Sequence, residues 1–188
     1  MTDNSQNNKS FSVKNMTLTG LMAALICILG PFAISLPISP VPITLATLIL
    51  YFSIYVLGMK RALLSCVIYM LLGLVGLPVF SGYAGGVGKV VGPTGGYLLG
   101  YLLVIVIAGL FIDTWTSNYA LCILGMILGT AALYLLGSLW LAFQNHMTFP
   151  AALAAGALPF LIGDSLKIIL AAIFGPVLRK RLIKAGLF

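Results

Sequence analysis

Six apolar runs, each closed by charged, proline-rich or glycine-rich residues, make up most of this 188-residue sequence. A helix rising 1.5 Å per residue needs roughly 20 apolar residues to cross a hydrocarbon core ~30 Å thick. Hydrophobic residues form 61% of the chain and charged residues only 7%, where soluble domains carry roughly 25% charged residues. A soluble fold of this length cannot cover itself with so few polar groups. Lipid is the solvent that suits such a surface, so the expected fold is an all-α, polytopic membrane protein with six transmembrane helices.

Residues 1–15 are polar and read as a cytoplasmic tail, leaving 16–188 as a single six-helix membrane domain. The first span runs from Met16 to about Ile34. Pro37, Pro40 and Pro42 then force an extended loop, since proline restricts both itself and its predecessor. The second span covers about Ile43–Met59 and the third about Ala62–Leu77. A stretch from Pro78 to Gly96 follows, nineteen residues with seven glycines. The fourth span is about Tyr97–Ile112 and the fifth about Tyr119–Phe143. Pro159 suits a first helical turn, so the sixth span is placed from there to about Arg181, with Ala151–Leu158 as a short separate segment.

Net charge is +7, but the basic residues cap apolar runs and do not form a nucleic-acid footprint. An inside N-terminus puts eight of the ten Lys and Arg (Lys9, Lys14, Lys60, Arg61, Arg179, Lys180, Arg181 and Lys184) in cytoplasmic segments. Lys89 alone falls in an outer loop. That asymmetry predicts N-in, C-in topology, with the proline-rich loop, the glycine-rich loop and residues 144–158 outside.

Asp164 and Lys167 break the apolar pattern of the sixth span. Their i, i+3 spacing puts them on one helix face. Measured from Pro159 they lie roughly 8 and 12 Å down the helix, in the outer half of the bilayer. A charge at helix-centre depth costs ~2.5–3.5 kcal/mol on insertion scales, and intramembrane ionisable residues mark functional sites by default. The bland alternative is an ion pair that tethers the sixth helix. Tyr97, Tyr101, Tyr134 and Trp140 are candidate site walls, although interfacial and packing roles account for most such aromatics.

Other chemistries fail on the residues. The phosphate-cradling loop requires a glycine five positions before Gly88 and a hydroxyl residue after Lys89; Tyr83 and Val90 stand there instead. Active transport would therefore need energy from a partner. With one histidine (His146), no glutamate and Asp113 at a cytoplasmic helix end, no metal cluster or nucleophile–base set can be assembled, and neither catalysis nor a cofactor is expected. The glycines from 82 to 96 imply close backbone approach, to a ligand or to another helix. Cys27, Cys66 and Cys122 lie singly in apolar runs and read as packing residues. Small-residue pairs at Gly20/Ala24, Ala23/Cys27 and Gly125/Gly129 permit close helix contact.

Four blocks taken together carry a resemblance: Pro40-Val-Pro-Ile-Thr-Leu45, Gly76-Leu-Pro-Val-Phe80, Gly92-Pro-Thr-Gly-Gly-Tyr97 and Gly163-Asp-Ser-Leu-Lys167. In order and spacing they resemble the BioY family, the biotin-specific substrate-binding (S) components of energy-coupling-factor (ECF) vitamin transporters. The resemblance implies a six-helix S-component fold in a bacterial plasma membrane. It also implies biotin capture from outside and association with a transmembrane coupling subunit and two ATPase subunits. The chemistry of such a ligand suits the buried pair: a carboxylate accepts from a ureido N–H, and an ammonium answers a carboxylate or ureido oxygen. Asp164 is therefore expected to meet a ureido N–H and Lys167 an unspecified polar end of biotin. Backbone at Gly92, Gly95 and Gly96, the side chain of Tyr97, and the Val41–Thr44 segment are assigned to the pocket as well. The family's docking face maps onto Gly20, Ala23, Ala24 and Cys27, with Cys27 departing from the expected alanine. Ala46 stands where members often carry glutamine, so one polar loop contact is absent or replaced. Other readings are an S-component for another vitamin, a solitary uptake protein, or a structural membrane protein without a ligand.

Overall fold

The structure is a computed structural model that describes residues 13–186 except Leu36 and Ile38. Residues 1–12 of the expected tail lie outside the described residues, and Val13–Asn15 already belong to the first helix. The order of elements is α1 (Val13–Leu29), β1 (Ala33–Ile34), β2 (Ile43–Thr44), α2 (Ala46–Leu57), α3 (Met59–Leu74), α4 (Val87–Val91), α5 (Gly95–Thr114), α6 (Tyr119–Gln144), α7 (Phe149–Gly156) and α8 (Leu161–Lys184). Leu158–Phe160 form a 3₁₀ turn ahead of α8. Among them, α1, α2, α3, α5, α6 and α8 correspond one for one to the six apolar runs. Leu21, Ile28, Leu64, Leu124, Leu135, Ile169 and Ile173 are exposed along their outer faces. Apolar outer faces suit a lipid solvent, as the composition requires.

Helix boundaries depart from the sequence reading where tertiary contacts intervene. The first helix stops at Leu29, not Ile34. Ala33 and Ile34 pair in antiparallel register with Thr44 and Ile43, closing the proline-rich loop on itself. Consequently α2 is only 12 residues long, or roughly 18 Å, too short to cross alone. It is buried on most of its surface, and the extended backbone ahead of it lines a cavity. Non-helical backbone at membrane depth is tolerated in such a protected position. By length and composition, Gly95–Thr114, Tyr119–Gln144 and the run Phe149–Lys184 suffice to cross a membrane, while α1 and α2 are shorter apolar helices. Gly58, at φ 75°, is the single hinge between α2 and α3, so α3 starts before Lys60-Arg61 and not after it. The glycine-rich stretch, read as irregular, contains α4.

One end of the bundle gathers the residues assigned to the cytoplasm. Lys14 donates to the Gly186 carbonyl, so the start of α1 and the end of α8 lie on one side, as an even number of crossings requires. Arg61 donates to Asn15 at 2.6 Å. Asp113, at the end of α5, accepts from the Met59 backbone N–H at 2.7 Å and from Arg179 at 2.9 Å. A carboxylate from one helix thus caps the N-terminus of a second and pairs with a third. Asp113→Ala should lower stability by ~0.5–2 kcal/mol, the usual cost of a lost cap. The midpoint of chemical denaturation in micelles reads this; an unchanged midpoint would mean the clamp contributes nothing.

The α5–α6 contact is the tightest in the bundle, because glycines let the helices touch. A β-carbon on Gly96 would overlap Trp140 Cβ, and one on Gly100 would run into Leu133. Tyr97 lies flat over Gly137, where any β-carbon would meet its ring. Close approach of this kind maximises dispersion contacts where no hydrophobic effect drives helices together.

Candidate functional site

At the opposite end from the Asp113 clamp, the early turns of α8 turn Asp164 and Lys167 inward. They are only 7% and 8% exposed, which shields the pair from lipid. Lys167 Nζ lies 2.7 Å from Asp164 Oδ1. Thr47, in the first turn of α2, bridges the two: it accepts from Lys167 at 3.2 Å and donates to Asp164 Oδ1 at 3.4 Å. Tyr134 on α6 donates to Asp164 Oδ2 at 2.5 Å. A buried ion pair persists when further hydrogen bonds support it, and here Thr47 of α2 and Tyr134 of α6 supply them.

The pair borders a small cavity of about 50 Å³. Its walls are Tyr97 and Tyr101 of α5, Leu133 and Tyr134 of α6, and Phe160 at the head of α8. Val41–Thr44 close it from above, and Thr44 Oγ1 sits 3.4 Å from the Tyr101 hydroxyl. A neighbouring pocket of about 20 Å³ shares Tyr97 and Tyr101 with it and is also lined by Ser81 and Thr94. The volume resembles that of one or two waters. A larger solute enters only if a wall moves.

The structure therefore brings Asp164, Lys167, Tyr97, Val41 and Thr44 to one cavity. It gives Gly92, Gly95 and Gly96 a different setting, outside the cavity lining. The Gly92 carbonyl accepts from Trp140 Nε1 at 2.9 Å. A β-carbon on Gly95 would overlap the Val90 carbonyl, and one on Gly96 would overlap Trp140. The close-approaching partner is a helix, so these glycines hold α4 and α5 against α6. Trp140, a candidate wall, is the residue they pack on. Tyr97 is fixed by its hydroxyl, which donates to the Gly156 carbonyl at 3.0 Å.

Of the four residues mapped to a docking face, Gly20 and Ala24 are exposed and Cys27 is half-buried. Ala23, at 2% exposure, faces the interior. Sequence reasoning missed Thr47 and Phe160. Thr47 had a weak signal, a hydroxyl inside an apolar run three residues after Thr44; Phe160 had none.

A multi-pass membrane protein that encloses a hydrogen-bonded ion pair beneath loops at one end has the architecture of a solute-binding membrane component. The sequence model of the BioY family matches residues 4–184, and the chain belongs to that family. It is 37% identical to the biotin transporter BioY of Thermotoga maritima over 168 residues, 89% of this chain and 97% of that protein. It is also 37% identical to the biotin transporter BioY2 of Lactococcus lactis over 179 residues, 94% of each. Among solved structures, the crystal structure of the S-component for biotin from an ECF-type ABC transporter superposes with TM-score 0.84 at 32% identity. That match covers 96% of this chain and 95% of the other.

Proposed function

We propose that this chain is the biotin-binding S-component of an ECF-type transporter, capturing biotin at the outer face and delivering it inward. The observation that carries the reading is the Asp164–Lys167 pair, which sets an acceptor and a donor 2.7 Å apart at the end of a tyrosine-lined cavity. A cyclic urea carries an N–H beside a C=O, the complementary pattern. Asp164 Oδ1 accepts the ureido N–H and Lys167 donates to the ureido oxygen. Among the described residues Lys167 spends two of its three N–H donors, on Asp164 and Thr47, so one is left for the ligand. Tyr97, Tyr101 and Leu133 pack on the apolar ring and chain, and Val41–Thr44 cover them. The ligand carboxylate extends toward Ser81 and Thr94. The names and coverage of the relatives support biotin over other vitamins.

The sequence has no phosphate-binding loop, so the energy of nucleotide hydrolysis has to come from a partner. A transmembrane coupling subunit and two ATPase subunits supply the work of translocation, and Gly20 and Ala24 give α1 a groove for close helix contact.

Thermal denaturation of the purified chain against a panel of vitamins tests the reading. Biotin at roughly a hundred times its Kd should stabilise the fold by about 2.7 kcal/mol and raise the melting temperature by several degrees. Riboflavin, thiamine and folate should leave it unchanged. A shift with another vitamin and none with biotin would reassign the ligand.

A further inference from the structure

Asp164 uses its two carboxylate oxygens differently. Oδ1 faces Lys167 and Thr47 at the cavity; Oδ2 is taken by the Tyr134 hydroxyl at 2.5 Å. Behind Tyr134 lies a second cavity of about 260 Å³, opening between α6 and α8 onto the lipid-facing surface. Its sides are apolar, with Ile127 and Leu161 about half exposed at the mouth. The two cavities share only two lining residues, Tyr134 and Asp164. The partition between ligand space and the lipid side is therefore one hydrogen-bonded pair of side chains.

A carboxylate rotates softly about its terminal torsion. Paired with Lys167 alone, Asp164 could present either oxygen, or straddle the ammonium with both. The Tyr134 O–H removes that freedom, since a charge-assisted O–H···O⁻ bond in a low-dielectric setting is strong and directional. We propose that Tyr134 is the positioning residue for Asp164: it occupies Oδ2, turns Oδ1 to the ligand as a single acceptor edge, and seals the cavity from the lipid side with its ring. Orienting the acceptor before the ligand arrives spares the cost of ordering it on binding. It also makes recognition one-sided, so that one ureido nitrogen, and not the other, must carry a proton. The inference rests on the reading that Asp164 accepts from the ureido group.

Equilibrium titration of the full chain tests it, with biotin, desthiobiotin (ureido ring intact) and the two biotin analogues methylated on one ureido nitrogen each. The wild type should reject one methyl analogue far more than the other. Tyr134→Phe keeps the ring and loses the donor. It should weaken biotin and desthiobiotin together by roughly ten- to a hundredfold, while the contrast between the methyl analogues shrinks. A merely structural role predicts a common loss for all four ligands with the contrast unchanged, and that result overturns the proposal. So does wild-type behaviour of Tyr134→Phe. Asp164→Asn separates the two levels: if it binds biotin normally, the ureido reading itself fails. If it loses binding while Tyr134→Phe does not, only the role of Tyr134 fails.

Discussion

Replacing both members of the buried pair, Asp164→Asn with Lys167→Met, should abolish measurable biotin binding while leaving the purified chain folded and nearly as stable as the wild type. The two halves of that result come from different physics. A buried ion pair offsets a desolvation cost of several kcal/mol per ion, so exchanging it for neutral groups of similar size is often neutral or stabilising. Ligand binding has no such compensation. A ureido group buried without its charged partners forfeits two hydrogen bonds worth ~1.5–3 kcal/mol each, a combined loss on the order of a hundred- to ten-thousandfold in affinity. The single variants should lose binding too, but Lys167→Ala also strands the Asp164 carboxylate and should destabilise by ~3–5 kcal/mol. Titration and thermal denaturation on the same samples separate the effects. A double variant that still binds tightly would reduce the pair to the tether between α8 and α2.

The second large effect is predicted at a glycine packed against a neighbouring helix. Gly96→Val should destabilise the fold by ~1–3 kcal/mol, the usual penalty for overpacking. The cause is local: a β-carbon there overlaps Trp140 Cβ and stands 3.0 Å from the Leu136 carbonyl, backbone that cannot step aside. Gly88→Ala is the control. It has no heavy atom within 4 Å of the added carbon and should change stability by less than ~0.5 kcal/mol. Denaturation midpoints of the two variants, compared in one detergent, decide the matter. Equal midpoints would mean that α5 and α6 can separate without cost.

The same glycines show where reading the sequence stops. Six apolar runs, their basic ends and the anomalous Asp164–Lys167 pair are local or nearly local signals, and they map onto the helices, the Asp113 end of the bundle and the buried site. A glycine reports only that something comes close. It does not say whether that is a ligand or a helix, and for Gly92, Gly95 and Gly96 it is Trp140 and the α4 backbone. The β1–β2 pairing was invisible for a related reason. Ala33 and Ile34 continue an apolar run, and only their register with Ile43 and Thr44 takes them out of the helix. Thr47 likewise gains its meaning from α8, 117 residues away in sequence. A spacing rule sees one helix face and cannot see which neighbour will complete it.

The central claim is that the pair on α8 serves a ligand, and that the ligand is biotin. Equilibrium titration of the purified wild-type chain with labelled biotin, in the absence of any partner subunit, tests it most directly. The account predicts saturable binding at one site per chain, displaced by unlabelled biotin and absent from the Asp164→Asn variant. Failure to saturate with a demonstrably folded chain, or equal binding by the wild type and Asp164→Asn, would contradict it.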